Sequence, residues 1–365
     1  MYKMWAFIFL VLPLIGLAYT SWRIWYILPL SNVYKGVVLG IFLILTFWFF
    51  ANFALLNIDK WPMPLARVSY EVGNSTIFIL LYAVLVFLTL DIGRLLHLVP
   101  QSFMFGSWKG TLTVVGILVA VFTYGYFNYL HKVRVPIELH TVKSIGDTKN
   151  IVMISDLHVG YHNNRKEITT WIDKINAEKP DLILISGDVI DGHIRPLLDE
   201  DMAEEFRRLN APVYACLGNH EYYSGKQNAE KFYRDAHFNL LTDQAITVQG
   251  INIIGRDDRM NSQRKSVQEL TAGLDMTRYT ILLDHQPYNL EHAEEAGIDF
   301  QLSGHTHYGQ VWPISWVEDL IYEKAYGQLT KGKTQYYITS GMGIWGGKFR
   351  VGTQSEYVVA TLTQQ

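Results

Sequence analysis

Seven side chains in the second half of this chain are of types that hold metal ions, and they fall in five short motifs. Asp156-Leu157-His158 comes first, then Gly187-Asp188, then Gly218-Asn219-His220-Glu221, then His285, and last Gly304-His305-Thr306-His307. Asp191 and His220 stand close behind the ligands of the second and third motifs. Carboxylate, imidazole and amide oxygen together suit borderline divalent cations such as Mn²⁺, Fe²⁺, Co²⁺ or Zn²⁺. A set without a cysteine argues against structural zinc. Asp156, His158, Asp188, Asn219, His285, His305 and His307 supply enough oxygen and nitrogen for two cations sharing one carboxylate. Two cations a few ångströms apart are suited to attack at phosphorus. A lone Asp-x-His, or His285 by itself, says little; the ordered set closed by Gly-His-x-His is specific.

The elements around these motifs explain how they would meet. Apolar runs at 151–155, 182–186, 213–217 and 300–303 each end at a motif, and the run at 280–283 stops two residues before His285. Such runs read as buried strands, and loops at strand ends along one sheet edge are where α/β domains build sites. Glycines at the junctions permit tight turns and close backbone approach. Amphipathic stretches at 167–177, 202–209 and 228–235 read as helices. Further strand candidates at 245–248, 251–254, 336–339 and 357–362 suggest a second sheet. The expected fold is an α/β domain of two packed sheets flanked by helices.

The first third has a different character. Four stretches, about 4–22, 36–56, 76–93 and 111–130, are apolar and long enough to cross a bilayer. Trp5, Trp22, Trp25, Trp48, Trp61, Trp108 and Tyr129 lie near their ends, as in an aromatic belt. The expected organisation is a four-helix transmembrane region over 1–135 and a catalytic domain over 136–365. Asp91 and Arg94 read as an interfacial pair on one helix face. His131-Lys132-Val133-Arg134-Val135-Pro136 reads as a basic juxtamembrane stretch able to touch anionic headgroups. Four spans would put both termini on one side. That side would carry Lys3, Lys60, Arg67, Lys132 and Arg134 against Arg23, Lys35, Arg94 and Lys109, a slight excess favouring a cytoplasmic catalytic domain. A net charge of −3 gives no reason to expect nucleic acid as a partner. The single cysteine, Cys216, sits in an apolar run and reads as a small buried residue.

Over about residues 148–362 the chain resembles the calcineurin-like metallophosphoesterase superfamily. The stretches from Gly304 to Gln310 and from Ser340 to Gly346 are similar to its membrane-bound bacterial branch, described as transmembrane proteins with a metallophosphoesterase domain. UDP-2,3-diacylglucosamine pyrophosphatases of lipid A synthesis are related members. The resemblance implies Asp156, His158, Asp188 and His307 around one cation, and Asp188, Asn219, His285 and His305 around the other, with Asp188 bridging. Manganese is the first choice, with Fe²⁺, Co²⁺ or Zn²⁺ as alternatives. It implies a water between the cations that attacks phosphorus in line, with His220 as general acid to the leaving group and Asp191 orienting His220. Glu221 is expected to act as a local hydrogen-bonder. Protein phosphatases of the superfamily carry an arginine after the second aspartate of the Asp188 loop; here Gly192 and His193 follow Asp191, which counts against a phosphoprotein substrate. Arg165, Lys348 and Arg350 are the candidates to bind phosphate instead.

The metals do not identify the substrate. A membrane-tied domain favours a phosphorylated or nucleotide-linked lipid, such as UDP-2,3-diacylglucosamine, at a bacterial inner membrane. The apolar stretch from Val311 to Tyr322 could meet the bilayer interface, with Trp312 and Trp316 in it as candidates to bind substrate, and Trp345, also a candidate, could with Phe349 add an apolar wall to an acyl-chain groove. A phosphodiesterase or phosphatase for soluble nucleotides is the enzymatic alternative, and a metal-dependent membrane sensor the non-enzymatic one.

Overall fold

The computed structural model describes residues 11–365. The chain divides into two compact units: residues up to 127 together with 346–348, and residues 128–345 together with 349–365.

The first unit is helical. It contains α1 (Leu12–Ile27), α2 (Asn32–Ala54), α3 (Met63–Leu95) and most of α4 (Trp108–Leu130). Among the described residues three helices, 32–52, 63–95 and 108–130, are long and apolar enough to cross a membrane. The expected first span begins outside the described residues. Its described part belongs to α1. Among the described residues three such helices are therefore seen, and the remaining expected span lies partly outside them. α3 starts 13 residues earlier than expected, at Met63 rather than Thr76, with a proline in its first turn. The polar residues that hid this extension face α2, where Trp48 donates its indole N–H to Ser69 at 2.9 Å. Asp91 turns to α1 and not to Arg94: Arg23 donates its Nε–H to the carboxylate at 2.7 Å, and Tyr19 donates its hydroxyl. Arg23 is buried, and a buried guanidinium without water requires a carboxylate.

The second unit is two six-stranded mixed sheets. The first runs β1-β12-β2-β3-β4-β5 and the second β10-β11-β9-β8-β7-β6. The first sheet comprises β1 (Lys132–Thr141), β2 (Lys149–Ile154), β3 (Leu182–Ser186), β4 (Val213–Cys216), β5 (Asn239–Leu240) and β12 (Ser355–Gln364). The second comprises β6 (Gln244–Val248), β7 (Ile251–Gly255), β8 (Thr280–Leu283), β9 (Phe300–Ser303), β10 (Gly327–Lys331) and β11 (Thr334–Ile338). β2, β3 and β4 are mutually parallel, and so are β7, β8, β9 and β11.

These strands read as unbroken apolar runs because both their faces are buried. Leu182 and Leu184 of β3 point between the sheets, into a core with Ile251, Ile281 and Leu302. Ile183 and Ile185 point outward to α5 (Arg165–Ala177) and, beyond α6 (Asn219–Tyr223), to α7 (Lys226–Asp235). Cys216 is buried between the sheets. α5 forms because Asn164 and Glu167 make a capping box and Ile168, Trp171, Ile172 and Ile175 share one face. The basic stretch after α4 is the start of β1, which pairs with β12 from Lys132 opposite Ser355 to Thr141 opposite Gln364. Lys132 is buried there, donating to the Tyr129 carbonyl at 2.8 Å with its ammonium 3.6 Å from the Tyr129 ring centre.

Candidate metal centre

All five motifs lie at the carboxyl ends of parallel strands. Asp156 follows β2, Asp188 follows β3, Asn219 follows β4, His285 follows β8 and His305 follows β9. Because the two sheets face each other, loops from both meet at one edge. Asp156, His158, Asp188, His305 and His307 all have positive φ, between 45° and 73°. Non-glycine residues rarely hold that conformation, and its clustering at five of the seven candidate ligands marks a site where function fixes the backbone. Gly218 and Gly304 must be glycine for another reason. A Cβ on Gly218 would collide with the Asp188 carboxylate, and one on Gly304 with that of Asp156.

Two groups of ligand atoms converge. Asp156, His158 and His307 form one, and Asp188, His285 and His305 the other. His158 Nε2 lies 2.9 Å from His307 Nε2 and 3.8 Å from a carboxylate oxygen of both Asp156 and Asp188. Asp188 Oδ2 is also 3.0 Å from His285 Nε2, so this one carboxylate faces both groups. Asn219 Oδ1 and His285 Nε2 are buried without a hydrogen-bond partner. At 3.0 Å the His285 nitrogen and the Asp188 oxygen are close but misaligned, as two ligands of one centre would be. Buried polar atoms left without partners are costly, and these aim into the cluster. The residues therefore fit a dinuclear site for divalent cations.

Neighbouring groups set the tautomers. His285 Nδ1–H donates to the Ser186 carbonyl at 2.7 Å, which leaves Nε2 free for the cluster. His158 Nδ1 meets Asp191 Oδ1 at 3.0 Å with the same result. His220 Nδ1–H donates to the backbone carbonyl of Asp191 at 2.7 Å. Asp191 thus orients His220 through its main chain, whereas its carboxylate, expected on His220, is spent on the candidate ligand His158. The grouping of His158, Asp191 and His220 is accounted for by these bonds.

Electrostatics follow from burial and crowding. Burial raises Asp156 and Asp188, yet His307 and His158 around the first, and His285 and His220 around the second, hold both below the usual carboxylate range. Burial pulls His158 down, but its bonds to Asp156 and Asp191 push it up to about 10. His285, opposed by burial, is lifted well above its usual value by Asp188. Burial lowers His305 to about 4 and also lowers His307 and His220.

Residues 149–309 match the Calcineurin-like phosphoesterase family. A metallophosphoesterase of Bacillus subtilis is 31% identical over 283 residues, covering 71% of this chain and 94% of that protein. This chain belongs to the calcineurin-like metallophosphoesterase family. A metallophosphoesterase of Campylobacter jejuni is 32% identical over 219 residues, and the alignment spans 58% of this chain and 58% of that protein. A zebrafish (Danio rerio) transmembrane protein with metallophosphoesterase domain is 26% identical over 376 residues, covering 94% of this chain and 80% of that one.

In this metallophosphoesterase the three cations expected to bind phosphate are engaged elsewhere. The Arg165 guanidinium bonds to Glu204 at 2.7 Å, to Glu205 and to the Glu200 carbonyl. Arg350, expected to bind phosphate, is fully buried and donates to the carbonyls of His307, Ser340 and Gly343. It holds the His307 loop from behind. Lys348 falls in the helical unit, with its ammonium 3.8 Å from the Glu71 carboxylate. Trp345 is half-buried and belongs to the α/β unit. Trp312 and Trp316 flank the start of α8 (Ile314–Ile321), are 40% and 62% exposed, and pack edge to face.

Sequence reasoning missed Asn163 and Tyr288, and placed Tyr322 at the bilayer interface and not beside the ligands. Asn163 donates to the carbonyls of Leu157 and His158 and fixes the first motif. Tyr322, at the end of α8, lies 6.3 Å from the His305 ring and 4.7 Å from that of Tyr288. No motif marks these residues; only the His285-x-x-Tyr288 spacing could have pointed to Tyr288.

Proposed function

We propose that this chain is a membrane-anchored phosphohydrolase that uses two divalent cations, manganese first among them, to cleave a phosphoester or pyrophosphate bond of a lipid-linked substrate. The convergence of buried, partnerless ligand atoms on a shared carboxylate carries this reading. Asp156, His158 and His307 would hold one cation, Asn219, His285 and His305 the other, and Asp188 both. When bound, the cations supply Lewis acidity at phosphorus and an activated water. His220 would exchange a proton with the leaving oxygen at Nε2, because its Nδ1–H is committed to the Asp191 carbonyl. Asp191 keeps His158 in the tautomer that presents Nε2.

UDP-2,3-diacylglucosamine is the best single substrate, at a bacterial inner membrane with the α/β unit facing the cytoplasm. Trp312, Trp316 and Leu320 support a lipid. Trp312 precedes α8, Trp316 and Leu320 lie one turn apart on it, all three are exposed, Leu320 at 87%, and the helix leads to Tyr322 beside His305. A second reading, hydrolysis of soluble nucleotide esters, draws support from Glu318 and Asp319 on the same helix, which would oppose an anionic lipid surface.

The test is Mn²⁺-dependent turnover by the full chain in detergent, with UDP-2,3-diacylglucosamine beside bis-p-nitrophenyl phosphate and Asp188→Asn as control. Rapid UMP release supports the lipid reading. Turnover of the generic diester alone favours the second. Full activity in Asp188→Asn refutes the two-cation mechanism.

A further inference from the structure

His220 is hydrogen-bonded at two points. Its backbone N–H donates to Asp188 Oδ1 at 2.9 Å, and its Nδ1–H donates to the Asp191 carbonyl at 2.7 Å. These bonds fix the main chain and one corner of the imidazole. They leave the ring able to pivot about its contact with Asp191, and a pivot would carry Nε2 away from a leaving oxygen. Two neighbouring rings oppose it. His158 meets His220 with ring centres 4.5 Å apart and planes at 88°, and Tyr223 meets it at 5.1 Å and 65°. His158 is committed to the first ligand group, whereas Tyr223 belongs to neither group.

Tyr223 is 58% exposed, too open to serve the core. Its ring is nevertheless well held. It stands three residues after His220 on α6, a spacing that sets two side chains on one helix face. That short helix is anchored at both ends of its turn. Glu221 accepts the Gly218 N–H at 2.7 Å, and the Tyr222 hydroxyl donates to the Asp257 carboxylate at 2.8 Å. The Tyr223 hydroxyl lies against the Asn219 side chain, which pulls its pKa down while burial pushes it up. The ring thus reaches from a candidate ligand to His220. The two adjacent tyrosines divide the work: Tyr222 secures the helix, and Tyr223 packs on the imidazole.

We infer that Tyr223 is a positioning residue, whose ring keeps His220 Nε2 aimed at the leaving oxygen. The inference rests on the reading of His220 as the proton donor, and it adds the group that aims it. The ring carries this role through its edge-to-face contact, so phenylalanine should replace tyrosine. Such a contact is a modest one, so its loss should remove part of the contribution of His220 and not all of it.

The experiment compares two diesters of the same shape. The p-nitrophenolate of bis-p-nitrophenyl phosphate leaves as a stable anion with little need of a proton, and the phenolate of diphenyl phosphate needs one more. With the full chain Mn²⁺-loaded in detergent, Tyr223→Ala should lower kcat/KM for diphenyl phosphate roughly threefold to tenfold more than for bis-p-nitrophenyl phosphate. Tyr223→Phe should keep the unaltered ratio. Loss of a stacking surface for the substrate would instead lower both aryl esters alike. A second readout needs no turnover. In protein labelled with ¹⁵N-histidine, the Nδ1–H signal of His220, identified by its disappearance in His220→Asn, should exchange with water several times faster in Tyr223→Ala and at the unaltered rate in Tyr223→Phe. Equal losses on both esters in Tyr223→Ala, the same change of ratio in Tyr223→Phe, or unchanged Nδ1–H exchange in Tyr223→Ala would overturn the inference. Absent turnover of either ester by the unaltered protein, with Nδ1–H exchange responding as expected, would count against hydrolysis and leave the positioning of His220 standing.

Discussion

Replacing Glu221 with glutamine tests whether the two halves of the metal centre are held by one side chain. Glu221 is fully buried. One oxygen accepts the N–H of Gly218 at 2.7 Å and of Asp188 at 3.1 Å, and the other accepts that of Ile190 at 3.0 Å. It therefore ties the loop after β3 to the loop after β4. Burial, with the charge of Asp188, pushes its pKa up to about 7. Glutamine has only one acceptor oxygen. Placed toward Gly218 and Asp188, it leaves its NH₂ against the Ile190 N–H, donor to donor. One buried donor left without an acceptor costs about 1–3 kcal/mol. Removing a charge that burial disfavours offsets part of this, so the net loss should be about 1–2 kcal/mol, or roughly 2–8 °C in Tm for a domain of this size. Groups that orient metal ligands typically contribute about 10–100-fold in affinity or activity, so Mn²⁺ affinity should fall within that range. The assay is thermal unfolding of the apo protein beside competition for Mn²⁺ with a chromogenic chelator. Unchanged Tm and unchanged Mn²⁺ affinity would refute the tie. A lowered Tm with full affinity would show that it stabilises the loops without setting the ligands.

Two further outcomes are expected. Trp316→Asp with Leu320→Asp removes on the order of 100 Å² of exposed apolar surface at about 25 cal/mol per Å²; UDP-2,3-diacylglucosamine turnover should fall roughly tenfold to a hundredfold relative to that of bis-p-nitrophenyl phosphate, and equal losses on both would refute an acyl-chain role. Loading the chelated protein with Mn²⁺ should release protons from His158, held up at about 10, and from His285, also raised. Both are protonated at lower pH, so affinity should weaken as pH falls. Calorimetry near pH 8 in buffers of different ionisation enthalpy should detect the release, and none detected would refute this account.

What the sequence made legible was local. Ile151 to Ile154 and Leu182 to Ile185 are apolar throughout because both faces of β2 and β3 are covered, and a candidate ligand follows each within three residues. Strand, turn and ligand lie within a few residues of one another, so pattern alone located them. What it could not carry was pairing across distance. The basic segment after α4 becomes a strand only because β12, more than 200 residues later, lies beside it. Arg350 read as a phosphate-binding candidate because nothing local shows that the carbonyls around it belong to His307, Ser340 and Gly343. Asp91 was assigned to Arg94 by spacing, although its partner Arg23 is 68 residues away. Asp191 sits beside His220 as expected, yet which of its oxygens does the work depends on how two loops cross.

The same geometry explains how the ligands are held. His158 Nε2 and His307 Nε2 stand 2.9 Å apart beside Asp156, and His285 Nε2 stands 3.0 Å from Asp188, so each group gathers its ligand atoms within reach of one cation. The strained backbone at five ligands is fixed by groups outside the ligand set, Asn163, Glu221 and Arg350, which act on the loops from behind. The loops that carry the ligands are thus ordered by hydrogen bonds that a cation does not have to supply, and its binding does not have to arrange them.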